Sequence, residues 1–359
     1  MNQAVKTKTI SAQQLFALLI VTRLSVIFTE TFAEARMDTA LLANAVLSSL
    51  GLLMLLLPVI ILRHFAPEEN VLQVLHRIYG IAFAALAGIG MIVYFVFMTA
   101  LYDARFGYFA RTAINPTISV RWLTVILLLA CVYLACRGSE ALARAAVILA
   151  PILLLAFGLI VFLSRQFSHA DMLARGTLTP FNIGVLRNLS ANAAVAAIGL
   201  FLPQVKGSLG KAMIVYAAVA AAITVIVAYM LVTVFGSFAQ TLLFPFYTMA
   251  SLRNDLTFFH PNVVMAVVWL LGHLVQIAVM LVAVMLIVRY FAPNWRKSII
   301  VGGTAAVAAA ASWGLNLHDS LYRYEAALRW AGWAFLVVGV GVPLVAMFGT
   351  VVKRKDVGA

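Results

Sequence analysis

Charged residues are scarce in this sequence. They make up 10% of its 359 residues, against about 25% in an ordinary soluble domain, whereas hydrophobic residues make up 64%. A soluble core could not bury that much apolar surface, and several apolar runs exceed the about 20 residues that a helix needs to cross a bilayer. The composition therefore excludes a soluble protein and indicates an integral membrane protein.

Cysteines and catalytic motifs are also scarce. The two cysteines, Cys131 and Cys136, lie on different faces of one predicted helix, which argues against a disulfide or a metal site. The sequence has no His-x-x-x-His pair, nucleophile elbow or glycine-rich phosphate loop, so we expect no enzyme and no cofactor. The polar stretch 1–10 lacks an apolar run with a cleavage site, so we expect no cleaved signal peptide.

Ten apolar segments are predicted to cross the membrane as helices. They cover residues 11–33, 39–62, 78–105, 120–136, 141–164, 183–203, 210–236, 263–289, 298–317 and 327–351. The connections are too short for a soluble domain, so we predict a single transmembrane domain over residues 1–359. An odd number of spans inverts the half that follows, so ten spans divide into two five-helix halves of opposite orientation, about 11–164 and 183–351.

Basic residues are distributed unequally between the two sides of this topology. The net charge is +13. With the N-terminus in the cytoplasm, 14 Lys and Arg residues fall on the cytoplasmic side and 10 on the other, and all seven lysines belong to the first group. This bias predicts both termini in the cytoplasm and attraction to anionic lipid. No basic, aromatic-interleaved module appears, so we expect no nucleic-acid partner.

Polar residues interrupt the first span of each half. Arg23 and Glu30 stand in the first span, and Ser190 and Asn192 stand in the sixth. In transporters built from inverted repeats these two helices are broken near the midplane, and their unwound backbone lines a ligand cavity. We therefore predict a central binding site between two breaks, although small and polar residues also serve ordinary helix packing. The breaks are expected near residues 24–29 and 190–197.

Four motifs follow one another along nearly the whole chain. They are ISAQQLFALLIV from residue 10, SEALARAAVILAPILLLAFGLIVFL at 139–163, FLPQVKGSLGKAMIV at 201–215, and the proline-containing segment 244–288 that ends in LVAVMLIV. Their order and spacing resemble the spore germination permease family, the B subunit of bacterial spore germinant receptors, in the amino acid–polyamine–organocation transporter superfamily. The resemblance implies an all-α, LeuT-like fold: about ten transmembrane helices in a 5+5 inverted repeat with broken first and sixth helices.

The sequence departs from that family where a ligand would lie. Members usually carry a Phe-Pro-Phe-Gly-Glu-like element in the sixth span, where this chain has residues 190–194. Gln276 stands where lysine is common and His273 where glycine is usual, and Arg23 and Ser25 replace the usual glutamine and glycine of the first span. The resemblance therefore predicts the scaffold, and the ligand chemistry has to be predicted from this chain's own residues.

Nine residues are predicted to bind a small ligand. Arg23 would hold a carboxylate by charge-assisted hydrogen bonds, and Glu30 would hold an amine or relay a proton. A charge at the centre of a membrane helix costs about 2.5–3.5 kcal/mol and is usually found with a partner. The alternative role of Arg23 is therefore a structural ion pair, and Glu30 could instead lie at the outer membrane interface in contact with water. The full set is Arg23, Ser25, Glu30, Tyr94, Thr99, Ser190, Asn192, His273 and Gln276.

The remaining candidates lie on two other spans. His273 and Gln276 are one turn apart on the eighth span, and their alternative role is a hydrogen bond between helices. Tyr94 and Thr99 lie deep in the third span, whereas aromatic residues such as Tyr102 are ordinary near a membrane interface.

Two functions fit this prediction. One is a germinant-receptor subunit in the spore inner membrane that binds an amino acid and signals to A and C subunits. The other is an H⁺- or Na⁺-coupled secondary amino acid transporter.

Overall fold

The computed structural model describes residues 9–30, 38–175, 191–252, 260–315, 317 and 320–357, which are predominantly helical. The helices are α1 (Ala12–Ile27), α2 (Thr39–Phe65), α3 (Val71–Tyr79), α4 (Ile81–Phe109), α5 (Val120–Arg137), α6 (Ser139–Ser164), α7 (Ile198–Phe201), α8 (Leu209–Phe235), α9 (Pro245–Ser251), α10 (Pro261–Phe291), α11 (Lys297–Gly314), α12 (Leu321–Phe335) and α13 (Val342–Val357). Two-residue strands, β1 (Ile10–Ser11) and β2 (Val205–Lys206), pair in parallel.

Shorter helical turns continue several of these helices. π-Helical turns extend α4 and join α12 to α13, over Ala110–Ile114 and Leu336–Gly341. 3₁₀ turns occupy Arg165–Phe167, Ala170–Arg175, Ala193–Ala197, Leu202–Gln204 and Gly236–Thr241.

Seven helices of the described residues are long and apolar enough to cross a membrane. They are the second, third, fourth, fifth, seventh, eighth and tenth predicted spans, and all but the third, which continues to Ile114, keep nearly the predicted bounds. The ninth predicted span is α11, an alanine-rich helix of 18 residues. The chain is therefore an integral membrane protein, and the all-helical, polytopic prediction is confirmed.

Two short helices were not predicted. The sequence between the second and third spans forms α3, whose first turn is closed by reciprocal bonds between Asn70 and Gln73. Such a capping box is readable from sequence. The connection between the seventh and eighth predicted spans, which end at 236 and begin at 263, contains α9, which begins at Pro245. Proline suits the first turn of a helix because the amide it lacks would have no partner there.

Helix α10 lies at the centre of the fold. In its most apolar window 78% of the residues are buried, whereas the corresponding share is 33% in the span that begins with α4 and 44% in the span that begins with α8. The other spans expose large apolar side chains on their outward faces, and in a membrane those faces contact lipid. Examples are Met54, Leu86, Trp122, Leu155 and Trp330.

The first and sixth spans are the short ones. Helix α1 stays regular through Ile27, and its hydrogen bonds tighten to an i→i−3 pattern at Thr29 and Glu30. Unwinding therefore begins near residue 29, and the prediction that it begins at Leu24 is wrong. In the sixth span, α7 has only four residues and lies between 3₁₀ turns. The first of these turns, Ala193–Ala197, falls inside the predicted break.

The start of the first span is tied to the end of the sixth. Ile10 pairs with Val205 in the two-stranded ladder. Arg63, at the end of α2, donates to the carbonyl oxygens of Leu202 at 2.9 Å and Val205 at 2.7 Å. Carbonyls at a helix end have no partner within their own helix, so Arg63 satisfies groups that the short sixth span leaves open.

Candidate ligand-binding site

A small cavity with several polar groups in its wall lies where α1 ends. Its walls come from α1 and the turn after it, from α4, α10 and α12, and from Ala191 at the start of the sixth-span segment. The cavity measures about 20 Å³, room for about one water molecule. We call it the central cavity; its lining residues are Ser25, Val26, Glu30, Met98, Tyr102, Arg105, Ala191, His273, Gln276, Tyr324 and Leu328.

The end of α1 is held against α10 by its freed backbone. Because Thr29 bonds to Val26 rather than to Ser25, the Ser25 carbonyl is available, and Trp269 Nε1 donates to it at 2.9 Å. The two helices also approach closely at Gly272, where an added Cβ would collide with Ser25 Oγ. Glycine at this position lets the backbones meet, which places the α1 terminus on the cavity wall.

Arg105 supplies a buried cation to the central cavity. Its side chain lies on α4 and is 4% exposed. Nε donates to Thr29 Oγ1 and Nη1 donates to Tyr324 Oη, each at 2.7 Å. Among the described residues Nη2 has no hydrogen-bond partner. Arg105 thus fixes the α1 terminus to α12 and keeps donor capacity for an anionic group.

His273 and Gln276 form one hydrogen-bonded unit on α10. His273 Nδ1 lies 3.2 Å from Gln276 Oε1, and its Nε2 lies 3.0 Å from the carbonyl oxygen of Tyr102. The imidazole also stacks against Trp269 and Phe106. Since a carbonyl only accepts, Nε2 donates to Tyr102, and Nδ1 of the neutral ring is then an acceptor that the NH₂ of the Gln276 amide serves when that amide is turned toward it. The bond to Tyr102 fixes the ring orientation at the cavity wall.

Arg23 lies in a second cavity. This side cavity, also about 20 Å³, is enclosed by α1, α2 and α8, and its lining residues are Arg23, Ile27, Glu30, Leu41, Ala45, Thr224, Val227 and Ala228. Arg23 is 2% exposed, and its Nη2 donates to Thr224 Oγ1 at 2.7 Å. Glu30 lines both cavities and therefore separates the two arginines.

The other predicted residues lie outside the lining of the central cavity. Thr99 donates to the Phe95 carbonyl of its own helix at 2.8 Å, and Tyr94 packs against Phe95 and Phe335. Asn192 accepts a 2.6 Å hydrogen bond from Tyr216. Ser190 lies outside the described residues. The structure thus brings together four predicted residues, Ser25, Glu30, His273 and Gln276.

Three polar residues of the central cavity, Tyr102, Arg105 and Tyr324, were not among the predicted ligands. Because the third span was predicted to end at residue 105, Arg105 was placed at its outer end and Tyr102 near the membrane interface. In the structure helix continues to Ile114, which places both side chains inside the protein. Tyr324 precedes the predicted start of the tenth span, and α12 begins at Leu321. A third span extended beyond residue 105 would have placed Tyr102 and Arg105 inside the helix bundle and made them candidates.

Metal-ligand chemistry is not suggested by the described part of the chain. It contains no group of three or more His, Cys, Asp or Glu side chains placed to hold a metal ion. Cys131 and Cys136 are both free thiols.

Two solved structures share this architecture over nearly the whole chain. MhsT in complex with L-phenylalanine aligns over 96% of this chain and 89% of that chain, with a TM-score of 0.62 and 13% sequence identity. A Na⁺-coupled sialic acid symporter in a substrate-bound, outward-open state aligns over 93% and 78%, with a TM-score of 0.64 and 12% identity. This likeness shows the fold: a LeuT-type arrangement of two inverted five-helix halves with broken first and sixth helices.

The sequence itself shows the family. Residues 9–320 match the family described as spore germination protein. The chain therefore belongs to the spore germination protein family, and the resemblance found in its motifs is confirmed. A search of curated proteins finds no match.

Proposed function

We propose that this chain is the transporter-like subunit of a spore germinant receptor, located in the spore inner membrane, and that it binds a small amino acid in the central cavity. The observation that carries the proposal is the small cavity at the end of α1 with the buried guanidinium of Arg105 in its wall. Membership of the spore germination protein family supports the receptor role. A and C subunits would receive the signal.

The proposed ligand is a zwitterion because the cavity offers opposite charges. Arg105 Nη2 would donate to the ligand carboxylate, a charge-assisted bond, and Glu30 would accept from its ammonium group. Met98, Val26 and Leu328 supply apolar surface for a side chain. A cavity with room for one water has to widen to admit an amino acid, so we expect binding to be linked to movement of the helices around it.

Calorimetric titration of the purified protein with amino acids, amines and sugars tests this proposal. We expect heats of binding from an amino acid and none from the corresponding amine or from a sugar. Arg105→Gln should weaken binding, Arg105→Lys should retain part of it, and Arg121→Gln, an exposed arginine at the start of α5, should leave it unchanged. Sugar binding without any amino acid response would reject the zwitterion site.

The second candidate function is secondary amino acid transport coupled to H⁺ or Na⁺. The likeness of the fold to MhsT and to the sialic acid symporter favours it. Reconstitution of this chain alone in liposomes separates the two functions. Accumulation of a labelled amino acid driven by an ion gradient supports transport, whereas binding without accumulation supports the receptor subunit.

The proposed orientation places both chain ends in the cytoplasm. The lysine distribution motivates it, because six of the seven lysines flank the chain ends, β2 or the start of α11, and Lys211 lies in the first turn of α8. A cysteine introduced at position 2 should react with a membrane-impermeant reagent only after the membrane is opened, whereas one at position 320 should react from outside. Labelling of position 2 in intact cells would contradict this topology.

A further inference from the structure

Asp103 is a fully buried carboxyl group outside the central cavity. It lies on α4 and has 0% exposure. Neither carboxylate oxygen has a hydrogen-bond partner among the described residues. Buried acids are usually paired or hydrogen-bonded, so this side chain calls for a physical explanation.

The nearest arginine on the same helix does not neutralise Asp103. Successive residues of an α-helix are about 100° apart, so Arg105, two residues on, projects from nearly the opposite side of α4. Arg105 faces the central cavity and its partners are Thr29 and Tyr324. The two charges therefore belong to different environments.

The surroundings of Asp103 come from α5 and α11. The Ser312 hydroxyl of α11 lies near the carboxyl group but makes no well-formed hydrogen bond to either oxygen. The Cys131 thiol of α5 also lies near Asp103, with its Sγ 3.7 Å from the Leu274 carbonyl. Helices packed against α4 also carry titratable groups, among them His273 on α10 and Tyr324, Glu325 and Arg329 on α12.

We propose that Asp103 is a proton-binding site, held as the neutral carboxylic acid within the layer formed by α4, α5 and α11. An ionised carboxylate buried without a cation is strongly unfavourable, and such a group neutralises by taking up a proton. A metal cation would need several oxygen ligands, and the described residues contain no group of three or more His, Cys, Asp or Glu side chains placed to hold one. A proton needs only the carboxyl group itself.

Proton binding at Asp103 depends on how the surrounding helices pack. The acid keeps its proton while α4 is packed against α5 and α11, and it releases the proton if movement of these helices admits water. Because α4 also carries Tyr102 and Arg105, a change at the central cavity can be transmitted to Asp103 through one helix. This site does not depend on the identity of the cavity ligand.

Infrared difference spectroscopy of the full chain in lipid bilayers tests the assignment. We expect a carbonyl-stretch band of a protonated carboxylic acid at neutral pH, shifted in heavy water, and we expect Asp103→Asn to remove it. Glu30→Gln and Asp171→Asn serve as controls, since Glu30 lies between two arginines and Asp171 is exposed. Absence of the band in the unmodified protein, or its persistence in Asp103→Asn, would overturn the proposal.

Thermal stability gives an independent measurement. A folded state that retains a proton which the unfolded chain releases loses stability as pH rises above about 4, where an exposed aspartate ionises. Asp103→Asn, which resembles the neutral acid in shape, should lack that part of the pH dependence. Equal pH dependence in the two proteins would contradict a bound proton. If Asp103→Asn does not fold, Asp103→Glu replaces it in the infrared measurement, and a protonated-acid band that stays unshifted in that variant would contradict the assignment to residue 103.

Discussion

Two small cavities on either side of Glu30 each contain one buried arginine, and their walls differ. The central cavity places Arg105 among the hydroxyl groups of Tyr102 and Tyr324 and beside the α10 pair His273 and Gln276. The side cavity places Arg23 mainly among aliphatic side chains of α1, α2 and α8. Both cavities measure about 20 Å³, and both arginines are almost fully buried.

Charge and burial therefore do not separate a ligand-binding arginine from a structural one. The residues around each arginine distinguish the two roles. Hydroxyl, amide and imidazole groups in a cavity wall can form hydrogen bonds to a polar ligand, whereas aliphatic side chains cannot. We assign Arg105 to the ligand and Arg23 to the packing of α1 against α8, where Thr224 accepts its hydrogen bond. The carboxylate anchor predicted from the sequence thereby moves from Arg23 to Arg105 in our proposal.

Removal of Arg23 should have the largest effect on stability. Arg23 and Glu30 are the two charged residues that line the side cavity, and removing one of two buried opposite charges costs about 3–5 kcal/mol, so Arg23→Leu should lower the free energy of unfolding by about that amount. Adding Glu30→Leu should restore part of it, because Glu30 lines the same cavity. Reversible unfolding in mixed micelles measures both changes.

The control is Arg165→Leu, which removes an exposed arginine and should change the unfolding free energy little. If the double variant is as unstable as the sum of the two single variants, Glu30 does not compensate Arg23. The structural role assigned to Arg23 would then require a different group to compensate its charge.

Arg105 should have the second largest effect, and that effect is on binding. A hydrogen bond to a charged group contributes about 1.5–3 kcal/mol, so Arg105→Gln should weaken amino acid binding about 10- to 150-fold. Arg23→Gln should change the dissociation constant much less. Calorimetry on both variants measures the difference, and a larger loss of affinity in Arg23→Gln would reverse our assignment of the two cavities.

The fold was predictable because long apolar segments have few alternatives in a bilayer. Backbone groups have to be satisfied within each segment, so segments such as 39–62 and 263–289 become helices with nearly the predicted bounds. Hydropathy did not show which helix is central. The span that begins with α4 has a mean hydropathy of 2.4 and α10 has 2.5, yet their buried shares are 33% and 78%.

The site was predictable only in part, because it depends on where helices end and how they face one another. Ser25, Glu30, His273 and Gln276 were found as polar residues in apolar spans. Arg105 was missed because hydropathy ended the third span at residue 105, while the helix continues beyond it. The orientation of Arg23 toward α8 could not be predicted, since sequence alone does not tell which neighbour each face of α1 contacts.

His273→Leu should have an intermediate effect. It removes the donor to the Tyr102 carbonyl and the partner of Gln276, and a buried polar group left unsatisfied costs about 1–3 kcal/mol. The unfolding free energy should decrease by an amount in that range. Amino acid binding should also weaken, because Tyr102 and Gln276 line the central cavity. Thr304→Val on α11 is the control, since its hydroxyl bonds only to its own helix backbone at Ile300. An equal loss of unfolding free energy in both variants would contradict a specific stabilising role for the hydrogen-bonded pair His273 and Gln276.

Thr224→Val should have the smallest effect, and it tests a single hydrogen bond of the side cavity. The substitution keeps the shape of the side chain and removes the acceptor for Arg23 Nη2. Hydrogen bonds between membrane helices contribute about 0.6 kcal/mol on average, so we expect a loss of that order in unfolding free energy and no change in ligand affinity. Thr233→Val on the same helix removes only a bond to the Tyr229 carbonyl and should cost less. If Thr224→Val weakens amino acid binding while stability is unchanged, the side cavity takes part in recognition, and the two arginines then belong to one extended ligand site across Glu30.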